Sequence, residues 1–191
     1  MKKIIATIIL VMITLSCKAQ QIIPLEKTNE FRDANDGIPD GTYIKDVNHL
    51  LDRYLGTWKG NSDNKNYTFF ITKHTYKPLN VTYDVLLIRY LITSSSGTVI
   101  EDTRSLPDTS LYVITGDQFG KNLGYYMSNY YGKDNACGQR GVVYITNVKD
   151  TEQQITLYLS PDKVLLNPYT CPAGGTKHIL PVSDTMLLTK Q

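Results

Sequence analysis

The chain has 191 residues, of which 20 are lysine or arginine and 18 are aspartate or glutamate, so its formal net charge is only +2. A chain this close to neutrality lacks the basic excess with which proteins neutralise nucleic-acid phosphates, and we expect no nucleic-acid partner. Its length suits a single domain behind a short leader.

The first 16 residues have the order of a signal peptide. The chain begins Met1-Lys2-Lys3, continues with a mainly apolar run, and reaches the small residue Ser16 just before Cys17. The run is shorter than the roughly 20 residues of a spanning helix, so it predicts a cleaved export signal over residues 1–16. Cleavage removes two of the 20 basic residues and no acidic one, which leaves the exported chain balanced in charge.

The end of this segment, Thr14-Leu15-Ser16-Cys17, resembles the lipobox of bacterial lipoproteins, in which the cysteine is acylated and becomes the mature N-terminus. The leucine lies two residues before the cysteine, where the usual pattern has it three before. The resemblance implies lipidation of Cys17 and attachment, through that lipid, to a membrane of the bacterial cell envelope. The alternative is cleavage after Ala19, with loss of Cys17.

The same resemblance bears on the two remaining cysteines, Cys137 and Cys171. With Cys17 acylated, these two are left as a pair, and an exported protein ordinarily joins its thiols. We therefore expect a disulfide that closes about 35 residues. The alternative is two unrelated buried thiols.

The exported chain divides into a polar segment and a domain. Residues 17–42 are polar and turn-rich, which predicts a lipid-anchored tether that spans roughly 25–30 Å if flexible. The domain then covers residues 43–191. At its start, apolar residues recur at i, i+3, i+4 and i+7 over 46–54 behind Asp46 as N-cap, which predicts one short N-terminal helix.

After Gly56, apolar residues and tyrosines alternate with polar residues between turn sequences, as is typical of strands. The predicted strands cover 55–60, 66–76, 81–93, 98–104, 111–117, 123–131, 140–148, 154–160, 176–181 and 185–190. Such a series predicts an all-β fold, an antiparallel meander that closes into a barrel of about 8–10 strands and so protects its edges. The longest irregular stretch, 161–175, contains Cys171.

Where the predicted helix meets the first of these strands, the chain reads Asp52-Arg53-Tyr54-Leu55-Gly56-Thr57-Trp58-Lys59-Gly60, which resembles the opening motif of the lipocalin superfamily. The resemblance implies a lipocalin-like barrel in which Trp58, just after Gly56, plugs the closed end. It also implies a basic residue from the last strand across the face of that ring, and Lys190 is the residue available. The whole layout is similar to small uncharacterised lipocalin-like lipoproteins of the bacterial envelope, a family that brings no established activity.

Two features are candidates for ligand contacts. Arg89 lies in an otherwise apolar file of a long strand, and an arginine that faced the barrel interior would anchor an anionic group of a ligand. Pairing with a neighbouring acid is the alternative. Tyr126 and Tyr130 share one face of a tyrosine-rich strand, a surface that suits sugars or amphiphiles. The alternative is that these tyrosines are structural.

No catalytic or metal-binding signature is evident, because His49, His74 and His178 have no partners at metal-ligand spacing. We therefore predict a non-enzymatic protein without a cofactor, which binds a small amphiphilic or hydrophobic ligand in a barrel cavity. The alternative is a packed barrel that acts through its surface as an inhibitor, an immunity factor or a scaffold for an unknown protein partner. A hydrolase site assembled across strands is a third possibility.

Overall fold

The computed structural model describes residues 20–34, 37–149, 151–172, 174–182 and 184–191. The expected signal peptide and Cys17 lie outside the described residues, so the structure does not bear on either.

Strands dominate the described part of the chain. They are β1 (Ile22–Pro24), β2 (Tyr43–Lys45), β3 (Gly56–Ser62), β4 (Lys65–Tyr76), β5 (Thr82–Ser94), β6 (Val99–Asp102), β7 (Ile114–Phe119), β8 (Tyr126–Tyr131), β9 (Arg140–Asn147), β10 (Gln154–Pro161) and β11 (Met186–Lys190). The helical elements are α1 (Thr28–Arg32) and the 3₁₀ turns Leu25–Lys27, Asp52–Tyr54 and Asn135–Cys137.

The antiparallel strands close into an eight-stranded barrel. Their order around it is β5-β4-β3-β11-β10-β9-β8-β7, and β7 pairs back with β5. The other three strands lie outside this ring. β6 pairs antiparallel with the last residues of β5, β2 pairs parallel with its first residues, and β1 pairs parallel with β2. The predicted all-β barrel is therefore confirmed.

Nine of the ten predicted strands match observed strands. The strand predicted at 176–181 is wrong, since its described residues are irregular. Leu180 is buried there and the carbonyl of Pro181 accepts a hydrogen bond from the amide of Leu159, at 3.0 Å. Pro181 has no N–H to donate, so this segment supplies an apolar contact without continuing a ladder.

The short helix lies elsewhere than predicted. Residues 46–54 form successive turns, because His49 adopts a φ of +56° that a right-handed helix does not accommodate. Asp46 does cap this segment, since its carboxylate accepts the amides of Leu50 at 2.7 Å and Leu51 at 3.2 Å. The helix of the fold is Leu25–Arg32, a 3₁₀ turn that continues into α1.

The segment expected to be a tether, 17–42, is folded over much of its described part. β1 of this segment pairs with β2 just after it, and Ile23, Leu25 and Thr28 are buried. Such short elements bury one side and expose the other, so a few apolar positions suffice to dock them. The folded domain therefore includes β1 and α1 of this segment, which lie before residue 43.

Side chains occupy the barrel interior. Along β5 the inward residues are Leu86, Ile88, Tyr90 and Ile92, which all belong to the central core. The largest buried side chains are those of Trp58, Tyr54, Tyr67, Tyr90, Tyr126, Tyr130, Phe69 and Phe119. The positions that would line an interior cavity are thus taken up by the protein's own aromatic rings.

Candidate functional site

Trp58 lies in the hydrophobic core, four residues after Tyr54 of the 3₁₀ turn that precedes β3. It is fully buried, its Nε1 donates to the carbonyl of Tyr54 at 2.7 Å, and Lys190 Nζ lies 5.3 Å from its ring centroid. Gly56 has a φ of +123°, and a Cβ placed there would lie 3.1 Å from Cε of Lys190. Glycine therefore lets the lysine lie over the indole face, where the cation–π contact stabilises the pairing of β3 with β11.

Tyr126 and Tyr130 belong to the core and do not reach a ligand surface. Both are fully buried, and the ring of Tyr126 packs edge-on against Phe119 with centroids 5.0 Å apart. Burial raises the pKa of both phenols. Close by in the interior, Tyr90 donates its hydroxyl proton to the buried carboxylate of Glu101 at 2.8 Å. Their burial agrees with the alternative given above, that Tyr126 and Tyr130 are structural residues.

Arg89 faces outward, so its expected role as an anchor inside the barrel is wrong. Nη2 of Arg89 lies 2.5 Å from Asp108, and Nε and Nη2 both donate to the carbonyl of Leu106, at 3.1 and 3.0 Å. The alternate residues of β5 point to the core, which places Arg89 on the outer face with Val85 and Leu87. Its apolar neighbours Val85 and Leu87 also point outward, and a loop on the outside of the barrel covers them.

That loop, residues 103–113, forms one wall of a groove of about 370 Å³ on the outside of the barrel. Volumes of about 300–1,000 Å³ are typical of small-molecule sites. The groove is lined by Arg32, His74, Tyr76, Pro78, Tyr83, Val85, Leu87, Asp108, Thr109, Ser110, Leu111, Val113, Thr115, Gly116, Asp117, Asn129 and Tyr131. We call it the outer groove.

The outer groove has an apolar floor. Val85, Leu87 and Val113 are nearly fully buried beneath it, and Leu111 is added from the loop with 54% of its surface exposed. Tyrosines from β4, β5 and β8 surround this floor, each with an apolar ring and a polar hydroxyl. The lining therefore offers contact to an apolar chain and hydrogen bonds to a polar group.

Ion pairs flank this floor. Arg32 of α1 makes a forked pair with Asp117 of β7, with N···O distances of 2.8 and 3.1 Å. Elsewhere on the lining, Nδ1 of His74 lies 3.3 Å from Asp108, the carboxylate that also binds Arg89. The hydrogen bond from Arg89 lowers the pKa of Asp108. The carboxylate of Asp108 is thus held as an anion by a cation of the same chain.

His49, His74 and His178 were considered above as possible metal ligands. Within the described ranges there is no group of three or more His, Cys, Asp or Glu side chains that could hold a metal ion. None of the helices in the same ranges is long and apolar enough to cross a membrane.

The outer groove was not predicted from the sequence, although one signal pointed toward it. The β5 strand is apolar on both faces, and a strand buried on both faces must be covered from outside as well as from the core. The covering residues Leu111 and Val113 lie in the loop before β7, although their alternation predicted that the strand would begin at residue 111. Local sequence therefore indicated that β5 was covered but not which segment covers it.

Comparison with known proteins supplies a family and no activity. The profile of DUF6705, a family of unknown function, matches residues 1–173. No curated protein and no solved structure matches the chain.

Proposed function

The chain belongs to DUF6705, and we propose that this member of a family of unknown function is a non-enzymatic, lipid-anchored protein of the bacterial envelope that binds a small amphiphilic ligand. The proposed site is the outer groove, because the barrel interior is occupied by aromatic side chains. The observation that carries the proposal is the groove's apolar floor beside paired charges.

The chemistry of the lining favours an amphiphile. An apolar chain laid against Leu111, above the buried Val85 and Leu87, would itself leave water, and each of its buried methylenes contributes about 0.8 kcal/mol. A polar head group would then lie against the tyrosine hydroxyls or the Arg32–Asp117 pair. The carboxylates of the groove, Asp108 and Asp117, are paired with basic side chains of the same chain, which favours binding over catalysis.

The envelope location rests on the leader sequence. The order of a basic start, an apolar run and Ser16-Cys17 supports export and acylation of Cys17. Two or three acyl chains on that cysteine would hold the protein on a bilayer.

The test is binding of dansyl-undecanoic acid, a fluorescent fatty-acid analogue, to the purified protein. Leu111→Glu places a charge on the groove floor at a half-exposed position, so the fold should be unaffected while the probe loses its apolar contact. We expect its affinity to fall at least about tenfold, which corresponds to about 1.4 kcal/mol.

Leu165→Glu is the matched control, because Leu165 is a fully exposed leucine that does not line the groove. This variant should bind the probe like the wild-type protein. Equal affinity in the wild type and the Leu111→Glu variant would contradict a site in the outer groove.

A second candidate is a barrel that acts on a protein partner through its surface. It is favoured by Leu165 and Tyr169, two fully exposed apolar side chains on a loop that a disulfide fastens at Cys171. Failure of the wild-type protein to bind the probe at all would favour this candidate over ligand binding.

A further inference from the structure

Leu79 contributes little to the fold that holds it. Its side chain is 93% exposed and its backbone has a φ of +54°, which strains a residue with a bulky side chain. Glycine or asparagine at this turn would avoid both costs. A leucine here makes physical sense if the side chain is buried by something outside the domain.

The turn that carries Leu79 lies beside the point where the chain enters the domain. Gly41 donates its amide to the carbonyl of Asn80 at 2.8 Å, and Tyr43 donates to the carbonyl of Gln21 at 2.8 Å. β1, β2 and β5 therefore start side by side. Because neighbouring strands lie about 4.8 Å apart, Gln21 is roughly 10 Å from the start of β5.

Little chain separates this edge from the expected lipid. Cys17 is four residues before Gln21, and four residues span at most about 14 Å even when fully extended. A lipid on Cys17 therefore cannot hold the domain clear of the bilayer, as a 25-residue tether would. It must bring the edge that contains Gln21 and Asn80 to the lipid surface.

From this geometry we infer that the barrel rests on the bilayer through the turn Lys77–Asn80, with the side chain of Leu79 inserted among the lipids. The inference rests on the lipid anchor of the proposed function. One leucine is too weak to bind a membrane alone, but the anchor keeps it at the surface, where its insertion fixes the orientation of the domain.

This orientation places the outer groove next to the membrane. Pro78, the neighbour of Leu79, lines the groove together with Tyr76 and Tyr83 at the end of β4 and the start of β5. One end of the groove is thus adjacent to the turn that meets the lipid. An amphiphile that leaves the bilayer beside Leu79 would have a short path to the groove floor.

The experiment uses the full chain purified from its host membrane and reconstituted in phosphatidylcholine–phosphatidylglycerol vesicles. Leu79→Cys is labelled with the environment-sensitive dye NBD, and the native pair Cys137–Cys171 is disulfide-bonded and so does not compete for the label. We expect the NBD emission to shift to shorter wavelength and to be quenched by nitroxide-bearing lipids.

Leu165→Cys is the control, because its loop follows β10 at the opposite end of the barrel and its side chain is equally exposed. Its NBD label should keep the emission it has in water and escape quenching. Intact-protein mass gives the acylation state of each sample. An acylated protein whose label at 79 stays in water would overturn the inference alone, whereas a protein without acyl chains would overturn the anchor and the inference together.

Discussion

Arg89 holds in place the loop that walls the outer groove. Its guanidinium donates to the carbonyl of Leu106 through two nitrogens and contacts Asp108 at 2.5 Å. Only 16% of the Arg89 side chain is exposed, so water competes less for its hydrogen bonds than at an open surface. Three contacts from one planar group fix the loop over Val85 and Leu87.

The Arg89–Asp108 pair makes the loop sensitive to acid. The pKa of Asp108 is lowered from its ordinary value of 3.8, chiefly by the hydrogen bond from Arg89. A lowered folded-state pKa means that the pair stabilises the loop above pH 3.8 and is lost as the pH falls through the lower value. An NMR titration of the Asp108 carboxyl carbon should give a pKa below 3.8, and Arg89→Met should return it toward 3.8.

Asp52 is an internal control for this titration, because the hydrogen bond from Lys73 lowers its pKa in the same way and neither residue belongs to the groove or its loop. Its titration should be unchanged in the Arg89→Met variant. If the pKa of Asp108 also stayed the same in that variant, Arg89 would not be the cause of the shift.

A sequence motif was enough to select residues such as Gly56 and Trp58. The role of Arg89 could not be predicted, because it depends on which face of β5 points into the barrel. The Gly-x-Trp motif directed attention to Gly56 and Trp58, and Lys190 contacts that ring. The alternation along β5 correctly separated Arg89 from Tyr90, but both files are apolar. Two-residue periodicity therefore could not tell the core from the covered outer face.

At the scale of elements, the disulfide fastens the longest irregular stretch of the chain. Cys137 ends a 3₁₀ turn before β9, and Cys171 lies in the segment between β10 and β11. Cys171 is buried, while Leu165 in the same stretch is fully exposed. The bridge thus fixes a segment that has few apolar contacts of its own.

Replacing both cysteines, Cys137→Ser with Cys171→Ser, should lower the free energy of unfolding by about 3–4 kcal/mol. The bridge spans a sequence separation of 34 residues, and the loss follows from the greater entropy of the unlinked unfolded chain. Urea denaturation with and without a reductant measures it. The wild type should lose stability on reduction and the double variant should not; identical midpoints for oxidised wild type and variant would contradict the prediction.

The longer strands were predictable from the sequence because each carries several alternating residues between turn sequences. β1 and β2, with three residues each, were missed, and the short helical elements likewise carry too few residues to show a period. The pattern over 46–54 fits a helix, but tertiary contacts favour capped turns. There, Asp46 serves both the backbone amides and Lys73, whose Nζ lies 3.0 Å away. α1 has no such periodic signal within its five residues, and its position depends on the barrel end on which it packs.

For the whole molecule, the barrel closes across a short seam. β5 and β7 are joined by only two residue pairs, Leu87–Thr115 and Ile88–Ile114, whereas β4 and β5 are joined by twelve. The outer groove lies over this seam, with its floor on β5 and its facing side on β7. β3 and β11 are also joined by only two pairs, so the proposed ligand would cover one of the two barrel junctions that have the fewest cross-strand pairs.

We expect the barrel to open more readily at the β5–β7 seam than between β4 and β5, since local opening begins where few backbone pairs hold an element. Hydrogen–deuterium exchange should be faster in peptides from β7 than in peptides from β4. Arg89→Met should accelerate the exchange of β7 further, because the loop that leads into this strand loses its hydrogen bonds to the guanidinium. Arg140→Met, which removes an exposed pair with Asp162 outside the groove and its loop, should leave it unchanged. Equal protection of β7 and β4 would show that the seam is no weaker than the rest of the barrel.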